Sequence, residues 1–309
     1  GGGIPPVAVV NLDDRRAAAM LEGQSGIAYG FTIATTENPR ETAGGKHVIR
    51  VSARRVESAD PRPATRTPLL YCVRAGDREA LLRLRLPGTF NLQNTLAAIA
   101  VGVSQGIALA RITRELSDVT GIPGRMDSIA RGQPFTIITD YAVTPAAFER
   151  VYETLPSING SHDRKPRTIH IFGAAGERDR GKRPILGEIA GRNADLVILT
   201  DEDPYAEDPE QILDDIEQGL TEVGVTRAQL PFAGQVEHGV PEKSYLRIRD
   251  RREAIRIGLT LARPGDTVLV TGKGAEETLA VGDRRIPWND RRAIEEELEI
   301  LELQSHSPR

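Results

Sequence analysis

Short apolar runs alternate with segments of helical periodicity in the part of the chain beyond residue 122. Four of these runs predict buried strands, and each is followed by a polar turn: 135–139, 168–172, 196–200 and 267–270. Strands that alternate with helices are typical of a parallel, doubly wound sheet. The carboxyl ends of such strands share one edge, where ligands bind, so we expect the polar turns at residues 140, 173, 201 and 271 to line it.

The pattern before residue 122 is weaker and begins with strands rather than with strand–helix units. Strands are predicted at 7–10, 47–51, 69–73 and 80–86, the last because its apolar and polar residues alternate. The helices of the chain are predicted at 91–106, 113–119, 145–155, 184–193, 209–220, 250–262 and 289–301. Gly121 to Arg125 favours a hinge, and 309 residues suffice for two domains.

Composition and charge narrow the class of protein. A net charge of -4 argues against a nucleic-acid partner held by bulk charge. The longest apolar stretch, 96–110, is interrupted by polar residues and too short to span a bilayer, and the first residues show no signal-peptide pattern. Cys72 is the single cysteine, which rules out a disulfide framework and a thiolate metal cluster. We therefore expect a cytoplasmic protein without a membrane partner and without metal ligands of its own.

The turn at 172–184 combines glycines with Arg178, Arg180, Lys182 and Arg183. Glycines let backbone N–H groups approach an anion, and the following helix adds the positive end of its dipole. Pro184 is predicted at the first helix position. The alternative interpretation is a solvated loop. No Walker A pattern, GxxxxGK[ST], occurs in the chain.

The turn at 200–209 holds five acidic residues and no basic one. Asp208 and Pro209 are explained as the N-cap and first residue of a helix. That leaves Asp201, Glu202 and Asp203 as candidates for a pocket that binds a positive charge. The turn at 271–277 is equally consistent with a binding site and with a plain turn. Asn91 and Asn94 are consistent either with helix caps or with ligand contacts.

Eight segments together resemble the Mur ligase family, and within it the MurE-type UDP-N-acetylmuramoyl-tripeptide synthetases. They occur in family order, which makes the resemblance specific: NLDD (11–14), PGTFNLQNTLAA (87–98), GRMD (124–127), DYAVTP (140–145), FGAAGERDRGKRP (172–184), LTDEDPYAEDP (199–209), GKGAEE (272–277) and NDRRAIEE (289–296).

This resemblance implies an α/β protein made of two parts of a longer ligase. Residues 1–122 match the second half of a central ATPase domain, 123–303 match a Rossmann-like C-terminal domain with a mostly parallel sheet, and 304–309 are expected to be a disordered tail. Such enzymes use ATP and Mg²⁺ to convert a peptide carboxylate to an acyl phosphate, which an amino acid's amine attacks. The implied substrates are a UDP-MurNAc-dipeptide and an amino acid.

The resemblance also assigns roles to individual residues. Asn91 and Asn94 match the motif that meets adenine, and Arg125 and Asp140 match residues around the ribose and phosphates. Lys182 and Arg183 match a catalytic basic turn that steadies the acyl phosphate. The amino-acid pocket would be formed by five residues, in which Asp203 and Glu276 bind the amine: Glu202, Asp203, Tyr205, Gly272 and Glu276.

Three positions depart from the family pattern. Val143 and Ala275 stand where the family has histidines. Tyr205 stands where diaminopimelate-adding members have an arginine that clamps a carboxylate, and tyrosine lacks that charge. The sequence therefore predicts a plain diamine acceptor, lysine or ornithine.

The family's phosphate-binding loop lies upstream of the segment that NLDD matches, so the chain alone is expected to be inactive. It would be a fragment, a subunit that pairs with the missing N-terminal part, or a degenerate relative. Two other functions stay open: a non-catalytic nucleotide- or peptide-binding homologue and a ligase similar to folylpolyglutamate synthase.

Overall fold

The computed structural model describes residues 7–23, 26–34, 40–43, 46–56, 68–159, 166–229 and 240–306. The chain divides into two compact units, Gly1–Gly121 and Ile122–Arg309, and the division falls inside the predicted hinge. Each unit has a sheet and an apolar core of its own. None of the described helices is both long and apolar enough to cross a membrane.

The first unit combines one sheet with helices. In its described residues the elements are β1 (Ala8–Asn11), α1 (Ala17–Leu21), β2 (Ala28–Thr32), β3 (Arg40–Ala43), β4 (Lys46–Arg55), β5 (Leu69–Ala75), β6 (Arg78–Leu84), α2 (Thr89–Ser104) and α3 (Leu109–Ser117). The strand order is β1-β2-β4-β5-β6, with β3 paired to β4. β1, β2 and β4 are parallel, whereas β4, β5 and β6 are antiparallel.

Strand β6 shows how the sequence pattern produces this core. Leu82 and Leu84 are buried, whereas Leu81 and Arg83, which alternate with them, are exposed. Alternate side chains of a strand point to opposite faces, so one face of β6 joins the core, which also contains Leu96 of α2. The predicted half-exposed strand is confirmed. Strand β2, Ala-Tyr-Gly-Phe-Thr, lacks such alternation and was not predicted.

The second unit contains the strand–helix units that the apolar runs predict. Its described elements are β7 (Asp127–Ser128), β8 (Thr136–Asp140), α4 (Pro145–Asn159), β9 (Thr168–Phe172), α5 (Lys182–Asn193), β10 (Leu196–Leu199), α6 (Pro209–Glu222), β11 (Thr226–Arg227), β12 (Ser244–Arg247), α7 (Arg251–Leu261), β13 (Thr267–Thr271), β14 (Thr278–Val281), β15 (Arg284–Pro287) and α8 (Asp290–His306).

The large sheet of this unit has the order β11-β12-β10-β9-β13-β8-β7. All its pairings are parallel except that of β7 with β8. The predicted α/β class with a mostly parallel sheet is therefore confirmed. The four predicted strands are adjacent, so their carboxyl ends and the turns that follow share one edge, as the sequence predicts.

Helices cover both faces of this sheet. Ile169 and Ile171 of β9 belong to a core with α7 and α8. The alternate residues His170 and Phe172 contact the Phe148 ring of α4, the first in a tilted and the second in an edge-to-face arrangement. Helix α5 packs against α4 and α6. The chain thus leaves β9 toward one face and β13 toward the other, and adjacent strands with this property form the crevice where such folds bind ligands.

Helices α5 and α6 approach each other closely, because glycine lies on both sides of their contact. A Cβ atom at Gly219 would lie 1.8 Å from the carbonyl oxygen of Pro184, and one at Gly187 would lie 2.1 Å from that of Ile216. This contact holds α5, and with it the basic turn before α5, against the start of α6.

Several helix ends differ from the predictions: α3 begins at Leu109 rather than at residue 113, and α4 ends at Asn159 rather than at residue 155. Helix α5 begins at Lys182, so Pro184 is its third residue rather than its first. The two extra residues begin the helix inside the charged turn, next to Gly181. Helix α8 continues to His306, beyond the predicted end at residue 301 and into the segment expected to be a tail. Residues 307–309 lie outside the described residues.

The start of α6 follows the prediction. Asp208 accepts a hydrogen bond from the Glu210 amide at 3.0 Å, and Pro209 is the first helical residue. We expect Asp208→Ala to lower the free energy of unfolding by about 1 kcal/mol, because an amide at the helix start loses its partner. Urea denaturation followed by the fluorescence of Trp288, the single tryptophan, measures this change. Glu222→Ala, at the other end of α6, is the control and is expected to change it by less than about 0.5 kcal/mol.

Candidate active site

The turns at the carboxyl edge of the large sheet are joined by backbone hydrogen bonds. The Gly272 amide donates to the carbonyl of Asp140 at 3.2 Å, and the Gly176 amide donates to the carbonyl of Asp203 at 2.8 Å. Gly124 has a φ of +65°, and a Cβ atom there would lie 2.2 Å from the Ala275 nitrogen. The turns that follow β8, β9, β10 and β13 are therefore held as one surface.

Lys273 is a buried cation of this surface. Its ammonium donates to both carboxylate oxygens of Asp203 at 2.8 Å and to the carboxylate of Glu276. The side chain is only 1 % exposed, and a buried ammonium requires such partners. The sequence predicted that Asp203 and Glu276 bind an incoming amine, but the ammonium that they bind here is the chain's own. Asp203 is fully engaged, since it also accepts from the Ala280 amide, whereas Glu276 is partly exposed.

Tyr141 and Arg125 lie beside this cluster. A hydrogen bond to Glu276 is the main reason that the pKa of Tyr141 is raised to about 12. The guanidinium carbon of Arg125 lies 4.6 Å from the centre of the Tyr141 ring. Arg125 is exposed, so its N–H groups are accessible to a ligand.

Glu202 has a different environment from the other carboxylates. It is buried, and no hydrogen bond or ion pair joins its carboxylate to another residue in the described part of the chain. Burial raises the pKa of Glu202 to about 7, against the opposing charges of Arg251, Lys182 and Lys273. Burying a carboxylate without partners is unfavourable, so such a group is a candidate for function.

Gly272 allows this arrangement. Its φ is +111°, a conformation that other residues rarely adopt, and a Cβ atom there would lie 2.3 Å from Oε2 of Glu202. The predicted pocket residues Glu202 and Gly272 are therefore in direct contact.

Arg251 is the second group with unused hydrogen-bonding capacity. Its Nε and Nη2 donate to the two carboxylate oxygens of Asp290 at 2.8 and 2.7 Å, and Nη2 also donates to the Thr271 carbonyl. Nη1 is buried and has no hydrogen-bond partner among the described residues. Among the charges that lower the pKa of Glu202, that of Arg251 has the largest effect, so the two side chains lie near each other. This edge of the sheet therefore holds a buried cation, Arg251, and a buried anion, Glu202, each with polar atoms that are free to bind a ligand.

The two predicted catalytic residues have different positions. Lys182 is half-buried, makes no hydrogen bond or ion pair with the described residues, and lowers the pKa of Glu202, so it lies within electrostatic reach of that carboxylate. Arg183 is fully buried and pairs with Glu207 and Asp215 at 2.8 and 2.9 Å. Contrary to the prediction that it faces the reaction centre, Arg183 holds the turn before α5 to α6.

Comparisons with known proteins agree with the recognised motifs. Residues 124–274 match the family described as "Mur ligase, glutamate ligase domain". The chain is 38% identical over 294 residues to the UDP-N-acetylmuramyl-tripeptide synthetase of Roseiflexus sp. (strain RS-1), covering 94% of this chain and 51% of that protein. It is 32% identical to the UDP-N-acetylmuramoyl-L-alanyl-D-glutamate–2,6-diaminopimelate ligase of Caldanaerobacter subterraneus subsp. tengcongensis, covering 93% and 51%.

A solved structure shows the same likeness. A UDP-N-acetylmuramoyl-L-alanyl-D-glutamate–2,6-diaminopimelate ligase superposes with a TM-score of 0.51 at 27% identity, over 97% of this chain and 54% of the other. The chain belongs to the Mur ligase family. This Mur ligase chain spans about half the length of the curated relatives that it matches.

The residues predicted to bind the nucleotide in this Mur ligase chain differ in how available they are. Asn91 is buried and donates to the Pro87 carbonyl at 2.7 Å, whereas Asn94 on the same helix is exposed. Asp140 is buried, and its oxygens accept from the Met126 and Ala142 amides at 2.7 Å, so it already holds two turns together. Asn94 and Arg125 are therefore the members of this set that present their side chains outward.

Some site residues of this Mur ligase chain were missed by sequence reasoning. Arg251 follows Asp250 at a helix start and looks like an ordinary exposed helix residue, although it is buried. Lys273 lies between two glycines, a pattern that by itself indicates only a turn. Of the two positions that lack the family's histidines, Val143 is half-buried and Ala275 is exposed.

Proposed function

We propose that this chain forms the amino-acid-accepting part of an ATP-dependent ligase that extends UDP-MurNAc-L-Ala-D-Glu by one amino acid in peptidoglycan precursor synthesis. The proposal is supported by the family and by the names of the relatives, which are tripeptide synthetases and diaminopimelate ligases. Within the chain, its main support is Glu202, a buried carboxylate without a partner among the described residues at the ligand-binding edge of the sheet.

Glu202 fits the role of a base for the incoming amine. An amino acid arrives as an ammonium ion and must lose a proton before its nitrogen attacks the activated carbonyl carbon. A carboxyl group with a pKa near 7 is partly ionised at neutral pH, so it can bind the ammonium and accept that proton. The new C–N bond then forms as the carbon–oxygen bond to the phosphate breaks.

Positive groups near Glu202 suit the anion that leaves. Lys182 and the free Nη1 of Arg251 both lie within electrostatic reach of Glu202. Preorganised cations stabilise the negative charge that gathers on a departing phosphate. Arg251 is held in place by Asp290, so its orientation needs no rearrangement during the reaction.

ATP and Mg²⁺ fit this chain to different degrees. ATP supplies the phosphoryl group that activates the peptide carboxylate, and in the second unit the outward-facing Arg125 is available to it. No group of three or more His, Cys, Asp or Glu side chains that could hold a metal ion occurs in the described residues. We assign Mg²⁺ and the phosphate-binding loop to a part of the ligase outside this sequence.

The acceptor in this proposal is a diamino acid, such as the lysine or ornithine that the sequence predicts. The distal ammonium would contact the exposed side of Glu276, because Asp203 is committed to Lys273 and Ala280. The partly exposed carboxylate of Glu276 gives this pocket a negative charge that favours the binding of a cation.

The complete ligase provides the test. With ATP, Mg²⁺, UDP-MurNAc-L-Ala-D-Glu and a diamino acid, we expect a product longer by one amino acid, detected by mass spectrometry, and one ADP per amide formed. Nucleotide binding without amide formation would contradict the proposal and favour a non-catalytic homologue.

A further inference from the structure

His170 is a buried histidine whose two ring nitrogens both have hydrogen-bond partners. Nδ1 lies 2.7 Å from the hydroxyl oxygen of Tyr152 on α4, and Nε2 lies 2.9 Å from the hydroxyl oxygen of Thr271 at the end of β13. Burial lowers the pKa of His170 to about 3, with a smaller contribution from the charge of Arg251. The ring is therefore neutral at neutral pH, so one nitrogen donates a hydrogen bond and the other accepts one.

The bond between His170 and Thr271 follows from the register of two parallel strands. His170 of β9 lies opposite Leu269 of β13, and the last residues that pair are Ile171 and Val270. Thr271 is two residues beyond Leu269, so its side chain lies on the same face of the sheet as the ring of His170. Because the pairing of the two strands ends at Val270, the hydrogen bond from His170 ties the last residue of β13 to β9.

Thr271 is also the residue of β13 that contacts Arg251. Its carbonyl accepts a hydrogen bond from Nη2 of Arg251 at 2.8 Å, and the same guanidinium is bound by Asp290. Arg251 begins α7, which packs on the opposite face of the sheet from α4. Hydrogen bonds therefore run from α4 through the ends of β9 and β13 to a guanidinium on the other side of the sheet.

The surroundings of His170 do not by themselves favour a polar ring. Its ring centre lies 5.0 Å from that of Phe148 and 4.6 Å from that of Phe172. An apolar side chain would pack in such surroundings without the cost of burying two polar nitrogens, and the two hydrogen bonds offset that cost. The position is therefore suited to hydrogen bonding rather than to packing alone.

We propose that His170 is a positioning residue of the amide-forming reaction, which acts through Thr271 to hold the guanidinium of Arg251 for the leaving phosphate. The inference rests on the proposed function and adds to it a residue that does not touch the substrate. Nη1 of Arg251 is the donor that would be misplaced, since it is buried and has no hydrogen-bond partner among the described residues. A donor that acts on charge in the transition state affects kcat and not KM.

Two substitutions of His170 separate its two hydrogen bonds. The amide of His170→Gln can reach the position of Nε2 and keep the bond to Thr271, whereas that of His170→Asn reaches only the position of Nδ1 and loses it. In the complete ligase, His170→Asn and Thr271→Val should each lower kcat about ten-fold and change KM for the amino acid less than about two-fold, because small errors of placement are costly. His170→Gln should keep at least about half of the kcat.

Phe148→Leu is the control for packing. It removes ring contacts with His170 but no side-chain hydrogen bond, so it should lower the free energy of unfolding and leave kcat within about two-fold. Equal losses of kcat in His170→Gln and His170→Asn, or an equal loss in Phe148→Leu, would show that His170 only packs. Either result would overturn this inference and leave the proposed ligase function standing.

The purified chain gives a second measurement that does not depend on ligase activity. The NMR signal of the Arg251 Nε–H group in ¹⁵N-labelled protein, assigned by its loss in Arg251→Lys, reports how fast this proton exchanges with solvent. Exchange should be about ten-fold faster in His170→Asn and Thr271→Val and within about two-fold of the unaltered rate in His170→Gln. Unchanged exchange in all three variants would overturn this inference alone, whereas a complete ligase that forms no amide would contradict the proposed function and this inference with it.

Discussion

Glu202→Gln is expected to make the second unit more stable at pH 8 while it lowers the rate of amide formation in the complete ligase at least about 100-fold. The loss of rate follows from the proposed role, because removal of a general base commonly costs a factor of this size or more. The gain in stability follows from burial, because glutamine fills nearly the same volume without a charge.

The sign of the stability effect depends on pH in a defined way. The pKa of Glu202 rises from 4.5 in the unfolded chain to about 7 in the folded chain. Between these values the folded state keeps a proton that the unfolded state has lost, so stability falls as pH rises. The cost of ionising the buried group is fully present above pH 7 and amounts to about 3 kcal/mol. The stability of Glu202→Gln relative to the unaltered chain should therefore increase by that amount from pH 4.5 to pH 8.

Urea denaturation at the two pH values, followed by Trp288 fluorescence, measures this difference for the unit that contains Glu202. Asp201→Asn is the matched control, because Asp201 precedes Glu202 in the same turn but is partly exposed and paired with Arg249. Its effect on stability should change little between pH 4.5 and pH 8. A Glu202→Gln variant that is less stable at pH 8, or that keeps full ligase activity, would show that Glu202 is a structural residue.

The turns of this site could be predicted from the sequence because their signals are local. Apolar runs end directly before Asp140, Gly173, Asp201 and Thr271, and parallel strands necessarily bring those points to one edge. Helix caps such as Asp208 are equally local, since the donor lies two residues away. The order of the eight motifs along the chain then identified the family, which no single turn could identify.

The side-chain pairings could not be predicted, because their partners are far apart in sequence. Lys273 binds Asp203 across 70 residues, and Arg251 binds Asp290 across 39. The segment with Arg284 and Arg285 looks like a charged loop, so the hairpin that brings Arg285 to Tyr205 left no periodic pattern to recognise. Which acid binds which base depends on folded geometry, and this decides whether Arg183 or Lys182 is free for a ligand.

Arg251→Met is expected to lower the free energy of unfolding of the second unit by about 3–5 kcal/mol. Arg251 and Asp290 are both fully buried, so removal of the guanidinium leaves the Asp290 carboxylate uncompensated except for the Trp288 indole N–H. The Thr271 carbonyl, which ends β13, also loses its donor.

Two further variants separate the charge effect from the loss of packing. Asp290→Asn in the Arg251→Met background removes the stranded charge, so the double variant should be more stable than Arg251→Met alone, whereas Asp290→Asn alone should destabilise the unaltered chain. Arg256→Met, on the exposed side of the same helix, should change stability by less than about 0.5 kcal/mol. Urea denaturation followed by Trp288 fluorescence gives all four values. Additive effects of the two buried substitutions would show that Arg251 and Asp290 are not coupled, and Arg251 would then contribute to the site through its charge on Glu202 alone.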